Sequence, residues 1–171
     1  MNRYFLPDGN LFPGIHEYNW QEFEKQFVLD FVESTKRSLI FENFKTWIGL
    51  LIDILPPRYI WLDGSYLTQK TDPNDMDIVA FYYPEDIENE EVYSNLNYII
   101  HEVSRKHNCD AYFSLSFDKF SQEEKAKLPN NYAIMQTYWM GQFGYDRSRN
   151  AKGMAVFSKE ELLLLKREVP S

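Results

Sequence analysis

The stretch from Tyr59 to Phe81 constrains this chain more than any other. An apolar run, Tyr59-Ile-Trp-Leu62, leads through Asp63 into Gly64 and Ser65. Nine residues later Asp75 and Asp77 open a second apolar run. Short runs rich in β-branched and aromatic side chains, bounded by turn residues, read as buried strands. Successive side chains on a strand alternate faces, so Asp75 and Asp77 point one way while Met76 and Ile78 point the other. Two carboxylates then share a small volume, and each disfavours the ionisation of its neighbour unless a cation lies between them. Oxygen ligands select a hard ion, and Mg2+ in particular binds through one or two carboxylates and keeps the rest of its shell for water and phosphate. At the end of the first strand, a residue without Cβ lets backbone N–H groups and the Ser65 hydroxyl approach a phosphate closely. An isolated Asp-X-Asp is common in surface loops, so it is the whole combination that points to a metal and nucleotide site.

The pattern Gly64-Ser65, nine residues, Asp75-Met76-Asp77 resembles the signature of the nucleotidyltransferase superfamily, the fold shared by DNA polymerase beta and minimal bacterial nucleotidyltransferases. The likeness covers residues 58–117. It implies an α+β domain, a small mixed sheet of about three to five strands flanked by helices. It also implies that Gly64 and Ser65 hold a triphosphate, that Asp75 and Asp77 bind Mg2+ or Mn2+, and that a third acid arrives on a later strand. Asp110 is the candidate, opening the run to Phe117 in which Asp110, Tyr112, Ser114 and Ser116 share the more polar face. In that role Asp110 completes the metal site or takes the proton from an acceptor hydroxyl. The opening Leu11–Phe23, with Trp61–Ser65 and Pro73–Asp77, is further similar to a small bacterial subgroup of minimal nucleotidyltransferase-like proteins. Asp63 departs from the superfamily pattern, where an apolar residue is commoner before the glycine. It reads as a fourth acid of the metal shell or as an anchor for the turn.

The function implied is metal-dependent transfer of a nucleoside monophosphate from a nucleoside triphosphate to a hydroxyl of a protein, an RNA or a small molecule. The alternative is a catalytically degenerate binding module, an antitoxin-like or regulatory partner of a second protein, because minimal nucleotidyltransferases often pair with one. A purely structural ion site has no need of the Gly-Ser turn. Lys70, between the turn and the acids, reads equally as a phosphate contact or a solvated loop lysine. Arg147, Arg149 and Lys152 form a basic cluster in an acidic chain, either contacts for a triphosphate or acceptor or simply a solvated turn. Tyr138, Trp139 and Phe143 suit base stacking, although core packing is the commoner use of such a cluster. His16, His101 and His107 build neither a zinc pattern nor a Ser-His-Asp arrangement by spacing.

With 171 residues the chain fits a single domain, 1–171. Its net charge of −8 argues against an extended nucleic-acid surface, which needs cations to displace counterions. Cys109 has no partner cysteine, which excludes a disulfide framework and suggests a reducing compartment. The N-terminus lacks a signal-peptide pattern, and the longest apolar run, Trp47 to Leu55, carries Asp53 and is too short to span a bilayer. These features suggest a cytoplasmic protein without a membrane partner.

Residues 1–18 carry Pro7, Gly9, Pro13 and Gly14 and read as an extended arm without regular structure. Asn19 with Glu22 forms a capping box, and Tyr18 with Phe23 a hydrophobic staple, at the start of a first helix. A second helix is expected over 35–55, with Ile40, Phe44, Trp47, Ile48, Leu51, Ile52 and Leu55 on one face and Pro56-Pro57 as its stop. A helix of about fifteen residues should follow Glu91, before the strand at Asp110. Ser121 and Glu124 cap a short helix that Pro129 ends, and Ser158 with Glu161 caps a last one running to Glu168. The segment Ala133–Phe143 is compatible with helix or strand, and 144–153 reads as a polar turn.

Overall fold

The computed structural model describes residues 4–168; the first three residues of the expected arm and the last three of the expected domain lie outside the described residues. Among those described, five strands form one mixed sheet in the order β1-β5-β2-β3-β4. Strand β1 is Gly14–Glu17, β2 Tyr59–Asp63, β3 Met76–Tyr82, β4 Cys109–Leu115 and β5 Gly153–Ser158. The pairs β1/β5 and β3/β4 are parallel, and the central β2 runs antiparallel to both β3 and β5. The fold is therefore α+β, as the resemblance implies.

Helices follow the capping chemistry. Helix α1, Trp20–Glu24, starts where Asn19 accepts from the Glu22 N–H at 2.8 Å, and Tyr18 packs edge-on against Phe23; a π-helical turn, Lys25–Leu29, continues it. Helix α2, Arg37–Ile54, buries Ile40, Phe44, Trp47, Ile48 and Leu51 on one face and stops before the two prolines. Helix α3, Glu90–Tyr98, runs through a π turn, Ile99–Val103, into α4, Ser104–Lys106. The remaining helices are α5 Gln122–Ala126, α6 Asn130–Ala133, α7 Met135–Phe143 and α8 Lys159–Glu168. No helix among the described residues is long and apolar enough to cross a membrane.

The two faces of the sheet divide the labour. Ile60, Leu62, Met76, Ile78, Ala80, Tyr82, Ala111 and Phe157 pack with α2 and the aromatic residues of the α1 region into the main core. The opposite face carries Trp61, Val79, Phe81 and Met154, which pack with Phe143 of α7 into a smaller cluster flanked by Tyr112 and Trp139. That smaller cluster covers only part of its face and leaves one end open.

Four expectations are corrected. The arm supplies β1, because its backbone from Gly14 finds an open edge on β5, with Gly14 paired to Gly153. Strand β5 occupies the end of the polar turn and the residues before the last cap. Asp75 lies just before β3, which begins at Met76. Pro129 precedes α6 instead of ending α5, consistent with its fixed φ and missing N–H at a helix start. The ambiguous segment is helical over Met135–Phe143.

Candidate functional site

The strand register aligns three acids. Asp63 pairs with Asp77 across β2/β3, and Asp77 pairs with Asp110 across β3/β4. Residues directly opposite on paired strands share a face, so the three stand in one row at the open end of the sheet. Asp75 sits beside them, exposed at the mouth. A cleft of about 950 Å³ lies over this row, lined also by Gly64, Ser65, Lys70, Arg147 and Lys152, with α7 as its far wall. The register thus brings together all but one of the site residues expected from sequence. Arg149 is outside the cleft lining; it closes the turn, with φ +67 and its N–H donating to Asp146 O.

Burial and like charge act together on Asp77. Desolvation first, then the charges of Asp75 and Asp110, raise its pKa to about 6, against the opposing pull of Lys152 and Arg147. Asp63 is only 3% exposed, and burial pushes it up to about 7 although Lys152 Nζ stands 2.7 Å from its Oδ2. Among the described residues its Oδ1 has no hydrogen-bond partner. Lys152 is therefore tied to the floor of the cleft instead of being a freely solvated side chain. At the other end of the row, Tyr112 donates to Asp110 Oδ2 at 2.8 Å and leaves that acid with one oxygen engaged.

Gly64 is fixed by its surroundings. It has φ +85, and a Cβ there would stand 2.0 Å from Asp77 Oδ2 and 2.9 Å from its Cγ. The carboxylate thus rests against the glycine backbone. Gly64→Ala is expected to displace Asp77 and to cost about 1–3 kcal/mol through the left-handed backbone alone. Thermal unfolding with and without Mg2+ checks both effects; a variant with the wild-type melting temperature and cation response would show that the contact is not needed.

Two organising residues escape a reading of the sequence. Arg37, in the first turn of α2, is fully buried. Its guanidinium donates to the carbonyls of Phe27 and Tyr66 through Nη1 at 2.9 and 2.7 Å. Through Nη2 it donates to Thr68 and Lys70 at 2.7 Å each, and through Nε to Thr71 at 3.3 Å. It thereby shapes the loop after Gly64-Ser65 that carries Lys70 to the cleft. Its signal was a charged residue in phase with the apolar stripe of α2, three residues before Ile40. Asp146 organises the turn of Arg147: its carboxylate accepts from the N–H groups of Ser148 and Asn150 at 2.8 Å each and from Asn10 Nδ2 at 3.1 Å.

The buried His16 holds the arm, its Nε2 lying 2.6 Å from Phe12 O. Among the described residues, no group of three or more His, Cys, Asp or Glu side chains is placed to hold a metal ion. Trp139 and Phe143 pack 5.6 Å apart, and Trp139 lies 5.0 Å from Tyr112, so both belong chiefly to the covered part of this face. Residues 4–158 match a family of unknown function, DUF6932. The chain belongs to that family. No curated protein and no solved structure matches the chain. The match extends from the arm through β5, so the DUF6932 region contains every acid of the row and both ends of the Asp63–Lys152 pair.

Proposed function

We propose that this chain is a nucleotidyltransferase, transferring a nucleoside monophosphate from a nucleoside triphosphate to a hydroxyl of a protein, an RNA or a small molecule. The observation that carries the reading is the row Asp63–Asp77–Asp110 beside a glycine pressed against Asp77. The donor set is of the kind that takes Mg2+ or Mn2+: hard carboxylate oxygens, among them an Asp77 raised by burial and then by its acidic neighbours. Asp75, Asp77 and Asp110 would hold the ion, which when bound offsets phosphate charge. Gly64 and Ser65 receive the triphosphate, and Lys152, Arg147 and Lys70 meet its oxygens as fixed or nearby cations. Asp110 either completes that ion site or, through the oxygen that Tyr112 leaves free, accepts the proton of the acceptor hydroxyl. The acceptor oxygen bonds to the α-phosphorus, the bond from that phosphorus to the bridging oxygen breaks, and pyrophosphate leaves.

The buried, unpaired Cys109 and the acidic net charge fit a cytoplasmic setting without a broad nucleic-acid surface. A second reading, a binding module that works through a protein partner, is supported by the lack, among the described residues, of a group of three or more His, Cys, Asp or Glu side chains placed to hold a metal ion. Thermal unfolding against ATP, GTP, CTP and UTP, each with and without Mg2+, separates the two. A nucleotide at a hundred times its Kd adds about 2.7 kcal/mol to the folded state. That corresponds to a rise of roughly 5–10 °C for a chain of this size. The expected result is a rise that needs both nucleotide and Mg2+. No rise with any of the four overturns the enzyme reading.

A further inference from the structure

Resting on that reading, the wall of the cleft opposite the acids names the part of the substrate it takes. Helix α7 presents two stripes. Trp139 and Phe143, four residues apart, turn toward the sheet and pack with Tyr112 and the Trp61 cluster. Tyr138 and Gln142, also four apart, line the cleft, and Tyr145 lines it just beyond the helix end. Both tyrosines are 54% exposed, whereas Phe143 between them is 5% exposed. Both rings stay half exposed on the cleft wall, Tyr138 resting edge-on against Trp139, while the rest of the lining is mainly charged and polar apart from Tyr112, Trp139 and Phe143. A chain of rings joins Tyr138 to the row of acids: Tyr112 donates to Asp110, its ring lies 5.0 Å from Trp139, and Trp139 lies 5.2 Å from Tyr138.

We infer that Tyr138 and Tyr145 form a nucleobase site, with the Gln142 amide facing the edge of the base. The proposed phosphate-binding groups Gly64, Ser65 and Lys152 sit just after β2 and just before β5, while Tyr138 reaches the cleft from above β4. A nucleotide therefore lies across the row of acids, with phosphates at one end and its base against α7. The cleft volume, about 950 Å³, suits a whole nucleotide better than a phosphate chain alone. Stacking on exposed rings tolerates any base, because every base has a π face. An amide supplies both donor and acceptor, so preference among bases falls to Gln142.

The test compares Mg2+–nucleoside triphosphate with Mg2+–ribose 5-triphosphate, which has the same phosphates and sugar and no base, and with Mg2+–tripolyphosphate, which has neither sugar nor base, by calorimetry and by quenching of tryptophan fluorescence. The nucleotide is expected to bind at least tenfold more tightly than either. Tyr138→Ala and Tyr145→Ala should each remove most of that advantage and leave binding of the two base-free ligands unchanged, while Tyr138→Phe keeps it. Gln142→Ala should narrow the differences among the four nucleotides. Equal affinity for nucleotide and ribose 5-triphosphate overturns the base site and leaves the proposed function standing. A nucleotide advantage that survives both alanine variants also overturns it, as does an effect of those variants confined to turnover with an acceptor. Failure of all three ligands to bind removes the nucleotide reading itself, and the base site with it.

Discussion

On the proposed function, Asp77→Asn is expected to lower nucleotide transfer about a thousandfold, because it removes the central anion of the proposed metal set. The same change should stabilise the metal-free protein above neutral pH. Burial and the charges of Asp75 and Asp110 raise the folded pKa of Asp77 to about 6, whereas an unfolded aspartate titrates near 3.9. The folded state therefore binds its proton more tightly than the unfolded state. The resulting stability is fully present below about pH 4 and is lost as pH rises through about 6. At pH 8 the wild type carries this charge against repulsion, and asparagine relieves it by about 1–3 kcal/mol. Asp63, raised to about 7, acts in the same direction, so the wild-type melting temperature should climb as pH falls from 8 to 6. The climb should be smaller in Asp77→Asn. Adding Mg2+ at pH 8 should raise the wild type and leave the variant unmoved. If the variant melts below the wild type at pH 8, favourable contacts outweigh the repulsion and the row is not a cation site; undiminished transfer would sink the catalytic assignment outright.

The parts of this site that could be read in sequence are those whose physics is local. Alternation along the expected strands 75–82 and 110–117 places Asp77 and Asp110 on the face opposite Met76, Ile78 and Ala111, and the register pairs Asp77 with Asp110 on that face. Capping at Asn19 and Ser121, and the proline stop after α2, also follow from neighbours a few residues apart. The long-range pairs left no such trace. Asp63 stands out in sequence only as an odd acid before a glycine, yet its cation stands 89 residues away, on a turn whose shape depends on Asp146. Strand β5 is short and lies between a strong turn signal and a strong helix cap; what makes it a strand is β2 on one side and β1 on the other. The arm shows the same dependence: Pro13 and Gly14 argue correctly for irregular backbone nearby, but a free sheet edge decides what Gly14–Glu17 becomes. Arg37 was legible only as an anomaly, a charge where the α2 stripe calls for an apolar side chain.

That anomaly yields the largest stability change expected in the molecule. Arg37→Met should cost about 3–5 kcal/mol, because it removes the donor from five backbone carbonyls in or near the interior. It corresponds to a fall in melting temperature of roughly 6–20 °C for a chain of this size. Burial lowers the Arg37 pKa to about 10, partly offset by Tyr66 and Asp72, so the side chain stays charged at neutral pH. Its positive charge is spread over five carbonyl contacts and stacked 3.6 Å from the centre of the Phe31 ring. Methionine fills the volume but strands those carbonyls, of which Tyr66, Thr68, Lys70 and Thr71 belong to the loop after Gly64-Ser65. Lysine retains the charge without the planar fork and should recover only part of the loss. The Tyr66 hydroxyl donates back to the Arg37 carbonyl at 2.8 Å, tying the helix start to the same loop, so damage at Arg37 reaches the cleft through Gly64 to Thr71. Nucleotide binding should therefore weaken in Arg37→Lys at temperatures where that variant is still folded. A methionine variant melting within about 2 °C of the wild type would show that the loop is held by its other contacts, and that the buried charge shapes nothing in the cleft.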